Sequence, residues 1–210
     1  MHRFPNDLIR ASFLALLIGA VTPPIALAED DGDGDGDPAQ TAAATPLTGR
    51  YLLMDTNGRA VSHEDFRGRW QLLSFGYTFC PDICPTTLAQ MAVVLNALGP
   101  DADRLQALFV TVDPERDTAS VLRAYVAFFD PRIGGLTGSP ALVGKAAESF
   151  RVRFEKVQQA GAAPDEYSVD HTTGMYLLGP DGRYLRKFTY GTPPAEIAAR
   201  IRHYLKPPAR

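Results

Sequence analysis

The run QLLSFGY at residues 71–77 is almost continuously apolar. A stretch without polar alternation reads as a strand covered on both faces, and so belongs in the middle of a sheet. Directly behind it, in GYTFCPDICPTT at residues 76–87, stand the only two cysteines of the chain, Cys80 and Cys84, each followed by a proline. Beyond them Leu88, Met91, Ala92, Leu95 and Leu98 recur at helical spacing, and Gly99-Pro100 ends the run. A buried strand, a thiol loop and a helix start therefore follow one another without a spacer. The cysteine pair, with three residues between its members, admits three readings: a disulfide staple, an electron carrier or a metal claw.

The elements around this junction define the fold class. YLLMD (51–55) reads as a strand and LQALFVTVD (105–113) as a second buried one. A helix follows from about Thr118, predicted to gather Val121, Leu122, Tyr125, Phe128 and Phe129 on one side. Ser139 and Pro140 supply an N-cap and a first-turn proline for a helix burying Leu142, Val143, Ala146 and Phe150. GMYLLGPDGRYLRKF (174–188) is a hairpin turned by Gly179-Pro180-Asp181-Gly182, and the last helix carries Ile197, Ile201, Tyr204 and Leu205. Strands alternate with helices before a hairpin and a final helix close the domain. That order predicts an α/β class, a thioredoxin-like fold with a central mixed β-sheet flanked by helices. A C-x-x-C after a strand is the usual cue for that fold, and here the spacing is one residue longer. The chain is 45% apolar, enough for such a core, and carries a net charge of -3 with its basic residues scattered. No nucleic-acid partner is expected without a basic patch.

The first 28 residues read as a signal peptide or membrane anchor. Arg3 and Arg10 precede an apolar run at 11–21, and Ala26-Leu27-Ala28 forms a small-residue cleavage pattern. As a span the run is barely long enough, and Pro23 and Pro24 interrupt it. It contains no cysteine for lipid attachment. Residues 29–46, EDDGDGDGDPAQTAAATP, read as a disordered acidic, Gly-rich tether. An EF-hand loop starting at Asp31 would need a bidentate Glu at its twelfth position, which is Ala42, so that reading fails. The folded domain is expected at 47–206. The expected location is periplasmic or otherwise extracytoplasmic, with the protein soluble after cleavage or anchored by its leader.

Export sends the thiols to an oxidising compartment, where a disulfide bond persists. A staple over so short a loop would constrain the unfolded chain little. Cys84, with Pro85 beside it, falls at the helix start, where free N–H groups and the helix dipole favour a thiolate. Thiolates serve both redox exchange and soft-metal binding, and a metal would need a further ligand. Of the four histidines, His2 lies in the leader, His203 on the last helix, and His63 in a loop. His171, in VDHTTGMYLL, stands just before the strand that begins near Gly174. In thioredoxin-like folds the loop entering that strand packs beside the cysteine pair and usually carries a proline, absent here. Cys80, Cys84 and His171 would make a soft three-ligand site, suited to Cu(I) rather than to hard cations.

GYTFCPDICPTTL, VTVDPERDT, GLTG and VDHTTGMYLLGPDGRYL, in this order, strongly resemble the Sco/SenC family over roughly residues 47–205. These are exported or membrane-tethered copper-binding proteins with a thioredoxin fold. The resemblance implies copper delivery to the binuclear centre of cytochrome c oxidase subunit II, or to another copper-receiving protein. It implies Cys80, Cys84 and His171 as the ligands of Cu(I), and of Cu(II) with a further oxygen or water ligand. Asp82 and Asp113 match acidic positions of the family, each with a local alternative, as a turn or cap residue and as a loop residue after a strand. Asp170 is a candidate acceptor for the imidazole of His171. The acidic tether and the cleavable leader depart from the family's usual anchor.

Two further functions compete with metallochaperone work, which would need no enzymatic turnover. A thiol-disulfide reductase would attack a partner's disulfide, keeping copper-site cysteines reduced, with Cys80 as the more exposed nucleophile. A peroxiredoxin-like peroxidase would need an arginine-activated cysteine in a Thr/Ser-x-x-Cys loop; Thr78 is near, but the proline after Cys80 and the neighbouring Cys84 fit poorly. The short chain and its acidic balance suggest a monomer.

Overall fold

A computed structural model describes residues 47–163 and 165–206. The expected leader and tether lie outside the described residues. The strands are β1 (Leu52–Asp55), β2 (Ala60–Ser62), β3 (Trp70–Gly76), β4 (Leu105–Thr111), β5 (Ile133–Thr137), β6 (Phe154–Gln158), β7 (Tyr167–His171), β8 (Met175–Leu178) and β9 (Tyr184–Phe188). The helices are α1 (Ile83–Leu98), α2 (Ala119–Phe129), α3 (Pro140–Ser149) and α4 (Pro194–Leu205).

Seven strands form one sheet in the order β2-β1-β5-β4-β3-β8-β9. The centre is parallel, β3 with β4 and β4 with β5, while β1 and β8 join it antiparallel. The apolar run at 71–77 does become a central strand: Leu72 and Leu73 are fully buried, and β3 is paired on both edges. Alternation along β3 sends neighbouring side chains to opposite faces. Phe75 packs against Phe150, just past α3, at 5.3 Å between ring centroids. Gly76 faces α1 instead, and a Cβ there would lie 2.6 Å from Cys84 Sγ and 2.9 Å from the Phe109 ring. α1 packs against both α2 and α4, with Leu88, Met91, Val94 and Ile201 fully buried between them and the sheet. The fold is thioredoxin-like.

Capping sets the helix starts. The Thr118 side chain accepts from the Val121 N–H and the Ser139 side chain from the Leu142 N–H, with Pro140 in the first turn of α3. In α2 the buried residues are Leu122 and Val126, whereas Val121 is 40% and Phe128 83% exposed. The five residues predicted to share a side are thus split. At 100° per residue, 122, 126 and 129 align, while 121 and 128 align on the outer side. A second departure concerns His171. It ends a strand of its own, β7, which pairs with β6 in a separate two-stranded sheet, Phe154 opposite His171.

Candidate metal centre

The cysteine loop is built on a buried carboxylate. Asp117, in the connection between β4 and α2, is fully buried. It accepts from the Thr78 N–H at 3.0 Å and from the hydroxyls of Thr78 and Thr111, each at 2.6 Å. Thr78 is thereby held at the end of β3, two residues before Cys80. Burial pushes the Asp117 carboxyl above the usual carboxylate range, against the pull of these three hydrogen bonds.

The two thiols then differ sharply. Cys84 lies in the first turn of α1 and is 1% exposed; Cys80 is half-buried on the loop. Burial raises the Cys84 thiol well above its ordinary value, although the Tyr77 backbone donates to it, and negative charge on Cys80 raises it further. The helix start therefore does not activate the cysteine placed on it. For Cys80, partial burial pushes up, but hydrogen bonds from the backbones of Asp82, Cys84 and Ile83 and from the Cys84 thiol outweigh it, so its pKa is lowered. The free N–H groups of the α1 terminus turn back toward the residue preceding the helix, which is where a thiolate gains from them. Asp82 takes part through its backbone; its carboxylate is exposed and makes no capping hydrogen bond. Backbone donors, rather than an arginine, favour the Cys80 thiolate.

β7 carries His171 to the pair. Its Nε2 stands 3.5 Å from Cys84 Sγ, and its Nδ1 lies 3.1 Å from the Thr172 carbonyl oxygen. A carbonyl only accepts, so Nδ1 carries the proton and Nε2 presents a lone pair to the thiol. The expected acceptor, Asp170, does not fill that role, because it alternates to the other side of β7 and is exposed. Tyr77 sets the ring edge-on at 6.1 Å. Burial lowers the His171 pKa, opposed by the Thr172 bond and the Asp170 charge. Asp113 is fully buried and committed elsewhere: Arg116 Nε meets it at 2.5 Å and the Tyr167 hydroxyl donates to it at 2.8 Å.

Cys80, Cys84 and His171 are thus neighbours, joined as two pairwise contacts that share Cys84. Among the described residues no three His, Cys, Asp or Glu side chains already converge on one point. The donor set, two sulfurs and an imidazole lone pair, fits a soft cation. His63 and His203 lie elsewhere, on the 3-10 turn His63–Phe66 and on α4. The supporting residues Asp117, Tyr77, Arg116 and Thr172 were not singled out by the sequence reading, and Thr78 was named only for a peroxidase loop. The spacing of Asp113 and Asp117 within VTVDPERDT was the available signal for one of them.

A strand–thiol loop–helix on a thioredoxin-like sheet, with a histidine brought to the thiols by an added hairpin, defines a dithiol–imidazole protein of the thioredoxin class. Within that class the chain belongs to the SCO1/SenC family, whose model matches residues 39–206. It is 39% identical over 161 residues to the bovine (Bos taurus) mitochondrial SCO2 homolog, covering 75% of this chain and 59% of that one. The chain thus spans less than two thirds of that relative's length. Among solved structures it resembles Bradyrhizobium japonicum ScoI with copper bound, at 42% identity and a TM-score of 0.69, covering 76% of this chain and 99% of that one. BsSco, described through a disulfide switch as a member of the Sco family of cytochrome c oxidase assembly proteins, is 25% identical with a TM-score of 0.59, covering 76% and 95%.

Proposed function

We propose that this chain is a copper metallochaperone. The Cys80 and Cys84 thiolates and His171 Nε2 take Cu(I), and Cu(II) with one further oxygen ligand. The metal then passes by ligand exchange to the binuclear copper centre of cytochrome c oxidase subunit II. The observation that carries the reading is the unprotonated Nε2 held 3.5 Å from Cys84 Sγ, with Cys80 hydrogen-bonded to the same thiol. Copper in the Bradyrhizobium relative and oxidase assembly by BsSco supply the cargo and the recipient class. The N-terminal pattern supports work outside the cytoplasm, in a bacterial setting the periplasm, with the domain released or tethered as a monomer. Oxidation of the pair to a disulfide would remove two of the three donors.

A second reading, thiol-disulfide reductase, is favoured by the asymmetry of the thiols. A half-exposed Cys80 with a lowered pKa suits attack on a partner's disulfide, forming a mixed disulfide and releasing one partner thiolate. Cys84 would resolve it: its proton passes to His171 Nε2, its thiolate attacks the Cys80 sulfur, the Cys80–partner bond breaks, and the second partner thiolate leaves as the Cys80–Cys84 disulfide forms. The two readings separate on copper stoichiometry in the anaerobic, fully reduced protein beside His171→Ala. One copper per chain, weakened by the substitution against a Cu(I) chelator, supports the chaperone. Copper lost equally readily from both proteins refutes the three-donor site and leaves the reductase.

A further inference from the structure

Several separate pieces of chain meet at one guanidinium. Arg116 lies between β4 and α2, and its side chain is 15% exposed. Its Nε donates to the fully buried carboxylate of Asp113 at 2.5 Å. Its Nη1 donates to two carbonyls of the β6–β7 hairpin, Tyr167 at 2.9 Å and Asp165 at 3.2 Å. The guanidinium carbon sits 3.6 Å from the Tyr167 ring centroid, 4.8 Å from Phe79 and 5.7 Å from Tyr77. Phe79 is the residue before Cys80, and the ring of Tyr77 abuts His171. Arg116 therefore touches the sheet end, the thiol loop and the histidine hairpin at once.

The hairpin has few other holds. All of β6 is exposed, and β7 fully buries only Val169, with Tyr167 packed part-buried against the core. The Lys156–Glu115 bridge is open to solvent on both sides, and such pairs contribute little. The Thr172 N–H to Arg153 carbonyl bond closes the hairpin upon itself. What remains is the Val169 N–H donating to the Tyr77 hydroxyl, the Tyr167 hydroxyl on Asp113, and the Arg116 fork.

We infer that Arg116 is a positioning residue that fixes where His171 stands relative to Cys80 and Cys84. The inference rests on the metal-binding reading above. A planar fork can tie a carboxylate to two carbonyls while its faces lie on aromatic rings; a lysine can neutralise Asp113 but cannot span the same three acceptors in one plane. Arg116→Lys is therefore the informative change, because it leaves Asp113 a counter-charge and spares the core.

The test uses the full reduced chain with and without R116K, each in the native and the H171A background. Cu(I) affinity is read by chelator competition, and amide hydrogen exchange at 167–171 is read without metal. R116K should weaken Cu(I) on the order of tenfold or more when His171 is present, as losses of outer partners of metal ligands do. It should change the H171A protein little. Exchange at 167–171 should quicken while β3 and β4 keep their protection. Equal weakening in both backgrounds, or unaltered hairpin exchange, overturns the inference. If the native chain holds no Cu(I), the chaperone reading fails by itself, and the exchange measurement alone decides whether Arg116 places the hairpin.

Discussion

Asp117→Ala removes the acceptor of three donors, the Thr78 N–H and the hydroxyls of Thr78 and Thr111, from a site with no exposure. A buried donor left without a partner costs about 1–3 kcal/mol, so three give a gross range of roughly 3–9. Relief from desolvating the carboxylate offsets part of this, and Thr111 keeps its bond from the Asp113 N–H at 2.9 Å. The expected net loss is about 3–5 kcal/mol, a large share of the roughly 5–15 kcal/mol that holds a domain folded. Asp117→Asn retains an acceptor oxygen for Thr78 and a group that can donate to a rotated Thr111 hydroxyl, so its expected cost is about 1 kcal/mol. The sign of the pH effect follows from burial. The folded carboxyl pKa is raised, so its contribution is full below the ordinary carboxylate value and is lost as pH rises through the folded value. Asn should abolish that decline. The assay is urea unfolding of the reduced proteins across acid to neutral pH. If Asn proves as costly as Ala, or Ala costs under about 1 kcal/mol, the buried carboxylate is not what anchors the thiol loop.

Alkylation followed by mass spectrometry should modify Cys80 well before Cys84, because Cys80 is half-buried with a lowered pKa and Cys84 is 1% exposed; equal rates would contradict the asymmetry. Gly76→Ala puts a methyl 2.6 Å from Cys84 Sγ and 2.9 Å from the Phe109 ring, and should cost about 1–3 kcal/mol in thermal unfolding while displacing the thiol. The His171 pKa is lowered by burial, so the unfolded chain takes up the proton first as pH falls below about 6.5. Stability should drop from there down to the folded value, and His171→Ala should flatten that slope in pH-dependent melting.

What could be read in the sequence was whatever announced itself by a local period or a cap. The strand at 70–76, the helix behind the cysteines and the starts of α2 and α3 all have such signals. β5, IGGLT, has none: its two glycines leave room for Leu122 and Leu108 from neighbouring elements, a tertiary reason invisible in a window of five residues. β6 and β7 were hidden because the hairpin alternates around a mostly exposed sheet, and FEKVQ has too little apolar contrast to declare a strand. His171 was nonetheless placed beside the thiols, since the hairpin lies just ahead of β8 in the chain. The pair was read only in part: Cys80 was expected as the exposed nucleophile, but the benefit of the helix start was credited to Cys84. Proximity to a helix start suggested an activated Cys84, but burial beneath the sheet outweighs the dipole, and the N–H groups that matter fold back onto Cys80.

The unequal exposure of the two sulfurs gives the site a front and a back. Cys84 is buried beside Gly76, and His171 reaches it from the hairpin, so an incoming nucleophile meets Cys80 first. For a proposed cargo shared by all three, exchange would start at that one sulfur while two donors still hold. The ion would then never be free in solution during transfer, and traffic through the site would run by a single door in both directions.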